Sequence, residues 1–313
     1  MKGVVNGKNY EEFIIEIKEK VEENIGEGYE ISIEKALKNN SCVINNMIIK
    51  NIETDGNIQL LPAINLNNCY SQYVLGKSSD SLAEEIVRLY HASITDNVNI
   101  NFNSINRENA EEFLFYRIVN KNKNKEMLSK VPYVPFLDLA VTFHFLCNSY
   151  EHGIQSFRIN NNIMKDWNLD IPGLFEMAHH NTRILFPDRL MHMDEVLEGF
   201  GEYPLSGECF NGEDEMYVLS NEIGVNGASV LLYSKKISEL SDLYERNIYI
   251  IPSSIHEVIL MPEYDGLEAA DLRSLVNDVN KSCVAKEDRL SDEVYIYDRD
   301  SGTIHICNSS AGR

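Results

Sequence analysis

The stretch from Ile248 to Met261 reads IYIIPSSIHEVILM, and its pattern is the clearest indication of the fold class. Its two ends, Ile248–Ile251 and Ile255–Met261, are rich in the β-branched and apolar residues that favour strands. The Pro-Ser-Ser sequence at residues 252–254 separates them and is typical of a turn. Because parallel strands need a crossover of about a dozen residues, two strands joined this closely must pair antiparallel. This stretch therefore predicts an antiparallel sheet and not a βαβ series.

The regions on either side of this stretch extend the same pattern. We expect the paired strands Met216–Leu219 and Ala228–Tyr233 before it, and the hairpin Val294–Tyr297 with Thr303–Cys307 after it. Apolar residues at helical spacing predict helices near Lys235–Arg246 and Leu267–Val279. The predicted fold class is α+β, with antiparallel sheets, packed helices and two or three subdomains.

The predicted organisation has three regions. Residues 1–100 form an N-terminal α+β region with a helix from Tyr10, a small antiparallel meander and two further helices. Residues 101–203 form a middle region, mostly helical, with one strand pair. Residues 204–313 form the C-terminal unit of strand pairs and helices. An Asn-rich stretch at 97–106 and a Pro/Gly-containing acidic linker at 204–212 mark the two boundaries.

Three segments matter most for the middle region. The spacing predicts a helix over Glu108–Ser129, and the clean alternation of Leu139–Cys147 predicts a strand paired with Gln155–Ile159. We also expect helical pieces over residues 172–184 and 192–200. The most basic patch of the chain consists of the lysines between positions 121 and 130, near the end of the predicted helix Glu108–Ser129. We interpret this patch as a solvated helix end.

Charge and composition exclude several classes of function. The chain carries 49 acidic and 28 basic residues among 313, for a formal net charge of −21. Such a chain is repelled by nucleic acid phosphates and by anionic lipid, so we expect no direct nucleic acid binding and no membrane partner. No apolar run reaches the length of a membrane span or a secretion signal. Six scattered cysteines without a C-x-x-C pair predict reduced thiols and a cytoplasmic protein.

Five segments spread in order over nearly the whole chain share one resemblance, and the most specific is YIIPSSIHEVILMP at Tyr249–Pro262. The other four are LPAINLNNCYSQY at 61–73, VPYVPFLDLA at 131–140, MYVLSNEIGVNGASVLLY at 216–233 and LSDEVYIYD at 290–298. Together they resemble a family of unknown function from clostridial, largely gut-bacterial proteins. The resemblance implies a protein from a low-GC Firmicute and implies no catalytic residue.

Ser254 and His256 are the candidate catalytic residues. A serine, a histidine and Glu257 within a few positions suggest a hydrolase. If the segment is a strand, however, Ser254 and His256 share a face while Glu257 points away, so this carboxylate would not orient the imidazole. The alternative is a structural turn, in which the serines satisfy backbone amides and His256 is packed.

The sequence predicts neither a metal site nor a cofactor. Glu176 and His179 form a single E-x-x-H pair, whereas a di-iron bundle needs a second copy and two further carboxylates. The pair of glycines Gly26 and Gly28 precedes a strand and lacks the third glycine of a dinucleotide fingerprint. The chain also has no phosphate-binding loop of the G-x-x-x-x-G-K-[ST] type.

Three functional hypotheses follow. We expect a non-catalytic, intracellular accessory or regulatory factor that binds a protein partner, because no catalytic constellation is complete. The alternative is a small hydrolase or metal-assisted enzyme centred on Ser254 and His256. The third hypothesis is an acidic nucleic-acid mimic from a mobile element, which the dispersal of acidic residues among lysines disfavours. The sequence does not specify an oligomeric state.

Overall fold

Antiparallel pairing dominates the structure, a computed structural model that describes residues 8–52, 63–95, 107–150, 153–199, 215–252, 254–264, 266, 269–282 and 284–307. All three sheets in these ranges are antiparallel and helices pack against them, so the predicted α+β class is confirmed. The chain divides into two units. The first comprises residues 1–38 and 42–105, and the second comprises residues 39–41 and 106–313.

The first unit is a three-stranded sheet with three helices. Helix α1 begins after Asn9, whose side chain accepts the backbone N–H of Glu12, while the Glu12 carboxylate accepts the N–H of Asn9 in return. Phe13, Ile17 and Val21 lie on its buried face and anchor the core of the unit. The elements are α1 Tyr10–Ile25, β1 Tyr29–Leu37, β2 Val43–Asn51, β3 Ala63–Asn65, α2 Leu66–Val74 and α3 Ser79–Thr95, with the sheet order β1-β2-β3.

The second unit contains a sheet built around one long strand, β6 (Leu139–Tyr150). Strand β4 (Leu114–Asn120) pairs along one side of it, while β5 (Tyr133–Phe136) and β7 (Gly153–Arg158) pair with successive parts of the other side. The helices that flank these strands are α4 Arg107–Phe113, α5 Lys125–Leu128, α6 Asn161–Asp166 and α7 Ile171–Leu185.

A six-stranded sheet with the order β13-β12-β10-β11-β9-β8 completes the second unit. The strands predicted on either side of the Pro-Ser-Ser turn are adjacent, with Ile248 opposite Pro262. The sheet is assembled from β8 Asp188–His192, β9 Tyr217–Asn221, β10 Ile248–Ile251, β11 Val258–Pro262, β12 Tyr295–Asp298 and β13 Thr303–Ile306. The helices in this part of the chain are α8 Met193–Gly199, α9 Lys236–Tyr244 and α10 Ala269–Ser282.

Two predicted elements are wrong. The helix expected over Glu108–Ser129 ends at Phe113, and the chain continues as strand β4. Six of the seven residues of β4 are buried, and a short apolar run of this kind looks alike in a buried helix and a doubly covered strand. The strand expected over Ala228–Tyr233 is a 3₁₀ helix, Gly227–Leu232, whose first five residues are buried.

Other predictions lie outside the described residues. The linker at 204–212 is one of these, and so is the whole Asn-rich boundary at 97–106. Within the described ranges, no helix is both long and apolar enough to cross a bilayer.

Candidate functional site

Ser254 and His256 lie in the turn between β10 and β11, beside a segment from much later in the chain. The backbone N–H of Ile255 donates to the carbonyl of Asp288 over 2.8 Å, and that of Ser291 donates to the carbonyl of Pro252 over 2.9 Å. Ser254 forms an isolated antiparallel bridge with Arg289. These backbone bonds hold Pro252, Ser254 and Ile255 against residues 288–291.

The Ser254 hydroxyl is part of the turn itself. Its Oγ accepts the backbone N–H of His256 at 3.0 Å, and the residue is only 6% exposed. A serine that accepts an N–H two residues ahead is a common turn device. The structure thus brings Ser254 and His256 together through the backbone of the histidine and not through its imidazole.

The imidazole of His256 has a partner at each ring nitrogen. Its Nε2 lies 3.5 Å from Oδ1 of Asp288, and its Nδ1 accepts the backbone N–H of Asn226 at 3.3 Å. The contact with Asp288 is the main cause that raises the pKa of His256, and burial opposes it. Neither ring nitrogen is therefore left to take a proton from Ser254.

The loop after β9 encloses the same turn from another side. The Ser220 hydroxyl donates to the carbonyl of His256 over 2.7 Å, and the N–H of Ala228 donates to the carbonyl of Ile255 over 3.1 Å. Gly227 is pressed so closely between them that a Cβ there would lie 2.4 Å from the His256 carbonyl oxygen and 2.8 Å from the Asn221 nitrogen. Only glycine fits this approach of two backbones.

A small pocket opens next to this loop. It has room for about one water molecule, and most of the surface that it exposes is apolar. Asn226, whose N–H bonds His256, lines it together with Ser229 and Arg117. The Oγ of Ser229 is buried and has no hydrogen-bond partner among the described residues. The pocket therefore combines apolar surface with a polar group that the described part of the chain does not satisfy.

Sequence reasoning missed Asp288 and Asn226. Asp288 lies 32 positions after His256 within the charged run KEDR, a pattern typical of a solvated surface. Nothing in the spacing links it to the histidine, because the link depends on the antiparallel bridge at Ser254. Asn226 could have been suspected from the turn-rich run NEIGVNG, although that pattern does not indicate its partner.

The E-x-x-H pair on α7 lies elsewhere in the second unit. His179 stacks against the rings of Tyr116 and Phe175, and its Nδ1 lies 3.1 Å from the Tyr116 hydroxyl oxygen. Burial lowers the pKa of this histidine. Within the part of the chain that the structure describes, no three His, Cys, Asp or Glu side chains are grouped to hold a metal ion.

A second polar cluster, which sequence reasoning did not identify, lies at the edge formed by β8 and β9. The Nε2 of His192 is 3.1 Å from Oε2 of Glu215, and the Tyr217 hydroxyl lies 3.1 Å from the same oxygen. The Tyr217 hydroxyl also contacts that of Tyr244 at 2.6 Å. These hydrogen bonds, the one from His192 first, lower the pKa of Glu215.

Comparison with known proteins places the chain in a family. No curated protein and no solved structure gave a significant match. A family of unknown function, DUF5688, matches residues 10–299, which is nearly the whole chain and includes the Ser254 turn, the pocket and the polar cluster at His192. The expected membership of a family of unknown function is confirmed: this chain belongs to DUF5688.

Proposed function

We propose that the protein is a non-catalytic accessory or regulatory factor that binds a basic surface of a protein partner through helix α1. The observation that carries the proposal is the solvent-facing side of this helix. Ile15 is 61% exposed at its centre, and the exposed carboxylates of Glu11 and Glu19 lie one turn before and one turn after it. Glu23 extends the same side by another turn.

The carboxylates on this face are available to a partner. Lys18 pairs with Glu22, and Lys20 pairs with Asp80, whereas Glu11, Glu19 and Glu23 make no ion pair with any residue that the structure describes. An apolar side chain flanked by unpaired carboxylates suits a binding surface that is steered electrostatically. The net charge of −21 disfavours nucleic acid as the partner.

The geometry around Ser254 supports a non-catalytic role. A hydrolase needs the imidazole within hydrogen-bond reach of the nucleophile, with the acid behind it. Asp288 supplies an acid, but the Ser254 hydroxyl bonds a backbone N–H and both ring nitrogens of His256 face other groups. The hydrolase remains the alternative, because Asp288 approaches the imidazole as a triad acid would.

We infer that the protein acts in the cytoplasm of a low-GC Firmicute. The support is that Cys69, Cys147 and Cys307 form no disulfide in the described part of the chain. The family-wide resemblance of the sequence to gut Firmicute proteins supports the same setting.

The test is site-specific crosslinking. A photoreactive amino acid at position 15 should crosslink one protein in cells, and the charge reversal Glu11→Lys, Glu19→Lys and Glu23→Lys should abolish that product. Glu84→Lys, on the exposed side of α3, is the matched control and should leave the crosslink intact. A crosslink that survives the triple reversal would contradict the proposal.

The alternative is tested with a fluorophosphonate probe, which labels activated serines. We expect no labelling of Ser254. Labelling of Ser254 that disappears in His256→Gln, with the melting temperature unchanged, would establish the hydrolase instead.

A further inference from the structure

The loop at residues 222–226 joins β9 to the 3₁₀ helix, and one of its backbone groups is held by a titratable side chain. The N–H of Asn226 donates to Nδ1 of His256 over 3.3 Å. The N–H of Gly224, by contrast, donates to Oδ1 of Asn221 over 2.8 Å, and an amide oxygen does not titrate. Of these two bonds, only the one at Asn226 depends on pH.

The neutral imidazole of His256 satisfies both of its neighbours in one tautomer. Nε2 lies 3.5 Å from Oδ1 of Asp288, where an N–H is favourable, and the lone pair of Nδ1 accepts the N–H of Asn226. The opposite tautomer would place a hydrogen on Nδ1 against the Asn226 N–H, so that two donors would meet. The contacts therefore select the Nε2–H tautomer of the neutral ring.

Protonation removes the acceptor that Asn226 uses. Both ring nitrogens of an imidazolium are donors, so Nδ1 of the charged ring does not accept an N–H. The contact between Nε2 and Asp288 remains, because an N–H is present there in both states. One proton on His256 thus breaks one hydrogen bond of the loop and keeps the other contact of the ring.

The surroundings favour the charged ring and give it a new acceptor. The hydrogen bond with Asp288 is the largest cause that raises the pKa of His256, burial opposes it, and the charges of Asp288 and Glu257 and a hydrogen bond with the Gly224 backbone raise it further. A backbone group that favours the cation must accept a hydrogen bond from it, so this group is the Gly224 carbonyl.

Among the described residues, Asp288 and Glu257 are the charged side chains that act on the ring. Arg289, beside Asp288 in the chain, directs its guanidinium elsewhere: Nε donates to the carbonyl of Val284 over 3.0 Å, and Nη2 donates to that of Lys281 over 3.4 Å. The two charges that act on the imidazole are therefore both negative, and both favour its protonation.

Asn226 is held in a conformation that it can leave. Its φ is +53°, in the left-handed region, where a residue other than glycine stays only while its contacts hold it. The bond to Nδ1 of His256 is one of these contacts. Gly224, two positions earlier, has a φ of +72° and adapts easily. Beyond the loop, the N–H of Ala228 donates to the carbonyl of Ile255 over 3.1 Å, so that end is fixed.

We propose that His256 is a pH-sensitive latch of the loop at residues 222–226. The neutral ring accepts the Asn226 N–H and holds the loop in the observed arrangement. The protonated ring gives up that bond and donates from Nδ1 to the Gly224 carbonyl, while its Nε2–H stays on Asp288. Histidine is the side chain whose charge changes near neutral pH, and such a change moves a segment that has two sets of hydrogen bonds. The latch is separate from the α1 surface proposed for the protein partner.

Nuclear magnetic resonance of the full chain, labelled with nitrogen-15, tests the latch. The ring nitrogens of His256 report its protonation, and the Asn226 amide reports the bond to Nδ1. On acidification from about pH 8.5 to about pH 5.5, we expect the Asn226 amide proton to shift upfield with the same midpoint as the ring. Its exchange with solvent should become about tenfold faster than the intrinsic rate at each pH predicts.

The Ala228 amide is the internal control, since it donates to a backbone carbonyl and should keep its protection throughout. An Asn226 amide that does not follow the ring, or one that gains protection as the ring becomes charged, would overturn the proposal.

Variants assign the titration to the ring and to its counter-charge. His256→Asn, which does not titrate in this range, should abolish the pH dependence of the Asn226 amide. Asp288→Asn should shift the midpoints of the ring and of the amide together to lower pH, and it tests the latch even if His256→Asn does not fold. His305→Asn, at an exposed position of β13, is the matched control and should leave the titration unchanged. A pH dependence that persists in His256→Asn, or midpoints that stay in place in Asp288→Asn, would overturn the proposal.

Discussion

The turn at His256 and the arginine pair on the β6 sheet are two polar regions of the same unit, and they differ in how completely the protein satisfies them. At the turn, Ser254, His256 and Asp288 are all engaged with backbone or side-chain partners. On the β6 sheet, Arg117 and Arg158 each keep a buried Nε–H that has no acceptor among the described residues. Satisfied polar groups hold a structure in place, whereas buried donors without an acceptor cost free energy.

The sequence alone points to the turn, whereas the structure singles out the arginine pair. The Ser-x-His-Glu run is conspicuous in the sequence because its chemically active residues are adjacent, whereas the arginines are 41 positions apart and neither belongs to a motif. Adjacent residues are also the ones that a tight turn can satisfy locally. Stability measurements on substituted chains can separate the two regions.

The largest loss of stability is expected for Gly227→Ala, a substitution next to the turn at His256. The new Cβ would lie 2.4 Å from the His256 carbonyl oxygen, so two backbone segments must separate. We expect a loss of about 3 kcal/mol in the free energy of unfolding, measured by urea denaturation. Gly224→Ala is the control in the same loop, because its Cβ would meet nothing within 4 Å and only the φ of +72° is strained. A smaller loss for Gly227→Ala than for Gly224→Ala would refute this account.

The fold class and the antiparallel C-terminal sheet could be predicted because the signals are local. Residues 248–261 contain both strands and their turn, and α1 contains its own capping box. Strand β4 was not predictable, since its run LFYRIVN is buried on both faces and shows no alternation. The 3₁₀ helix at 227–232 depends on a close approach to His256 that no local pattern encodes.

The candidate site was predictable only in part, because some of its contacts join residues that are far apart in the sequence. Ser254 and His256 were identified because the chain places them together. Asp288 reaches His256 through an antiparallel bridge, and Arg117 meets Arg158 only across the width of β6. Such contacts arise from strand register, which a single sequence does not specify over these separations.

A loss of stability of intermediate size, which depends on pH, is expected for Asp288→Asn. Because the contact with Asp288 raises the pKa of His256, the folded state binds that proton more tightly than the unfolded state does. The stabilisation is therefore complete below the ordinary histidine value of about 6.5 and is lost as the pH rises through the higher folded value. Both side chains are about one-third exposed, so solvent screens the pair and the expected effect is small.

We expect Asp288→Asn to lower the free energy of unfolding by about 1 kcal/mol near pH 6 and by less near pH 8.5. Urea denaturation at the two pH values measures the difference. Asp278→Asn, at an exposed position of α10, is the control and should show no such dependence. A loss that grows as the pH rises would mean that Asp288 does not stabilise the protonated imidazole.

The smallest effect is expected for Arg158→Met. The substitution removes a largely buried guanidinium that has no counter-charge among the described residues and relieves its repulsion of Arg117, while methionine keeps much of the apolar stem. These gains and losses offset each other, so the free energy of unfolding should change by less than about 0.5 kcal/mol. Arg289→Met is the matched contrast, because Arg289 is also half-buried but its Nε donates to the carbonyl of Val284 over 3.0 Å. That variant should lose about 1 kcal/mol, since the hydrogen bond disappears. If Arg158→Met were the more destabilising of the two, the β6 face would be a satisfied part of the core, and its difference from the His256 turn would vanish.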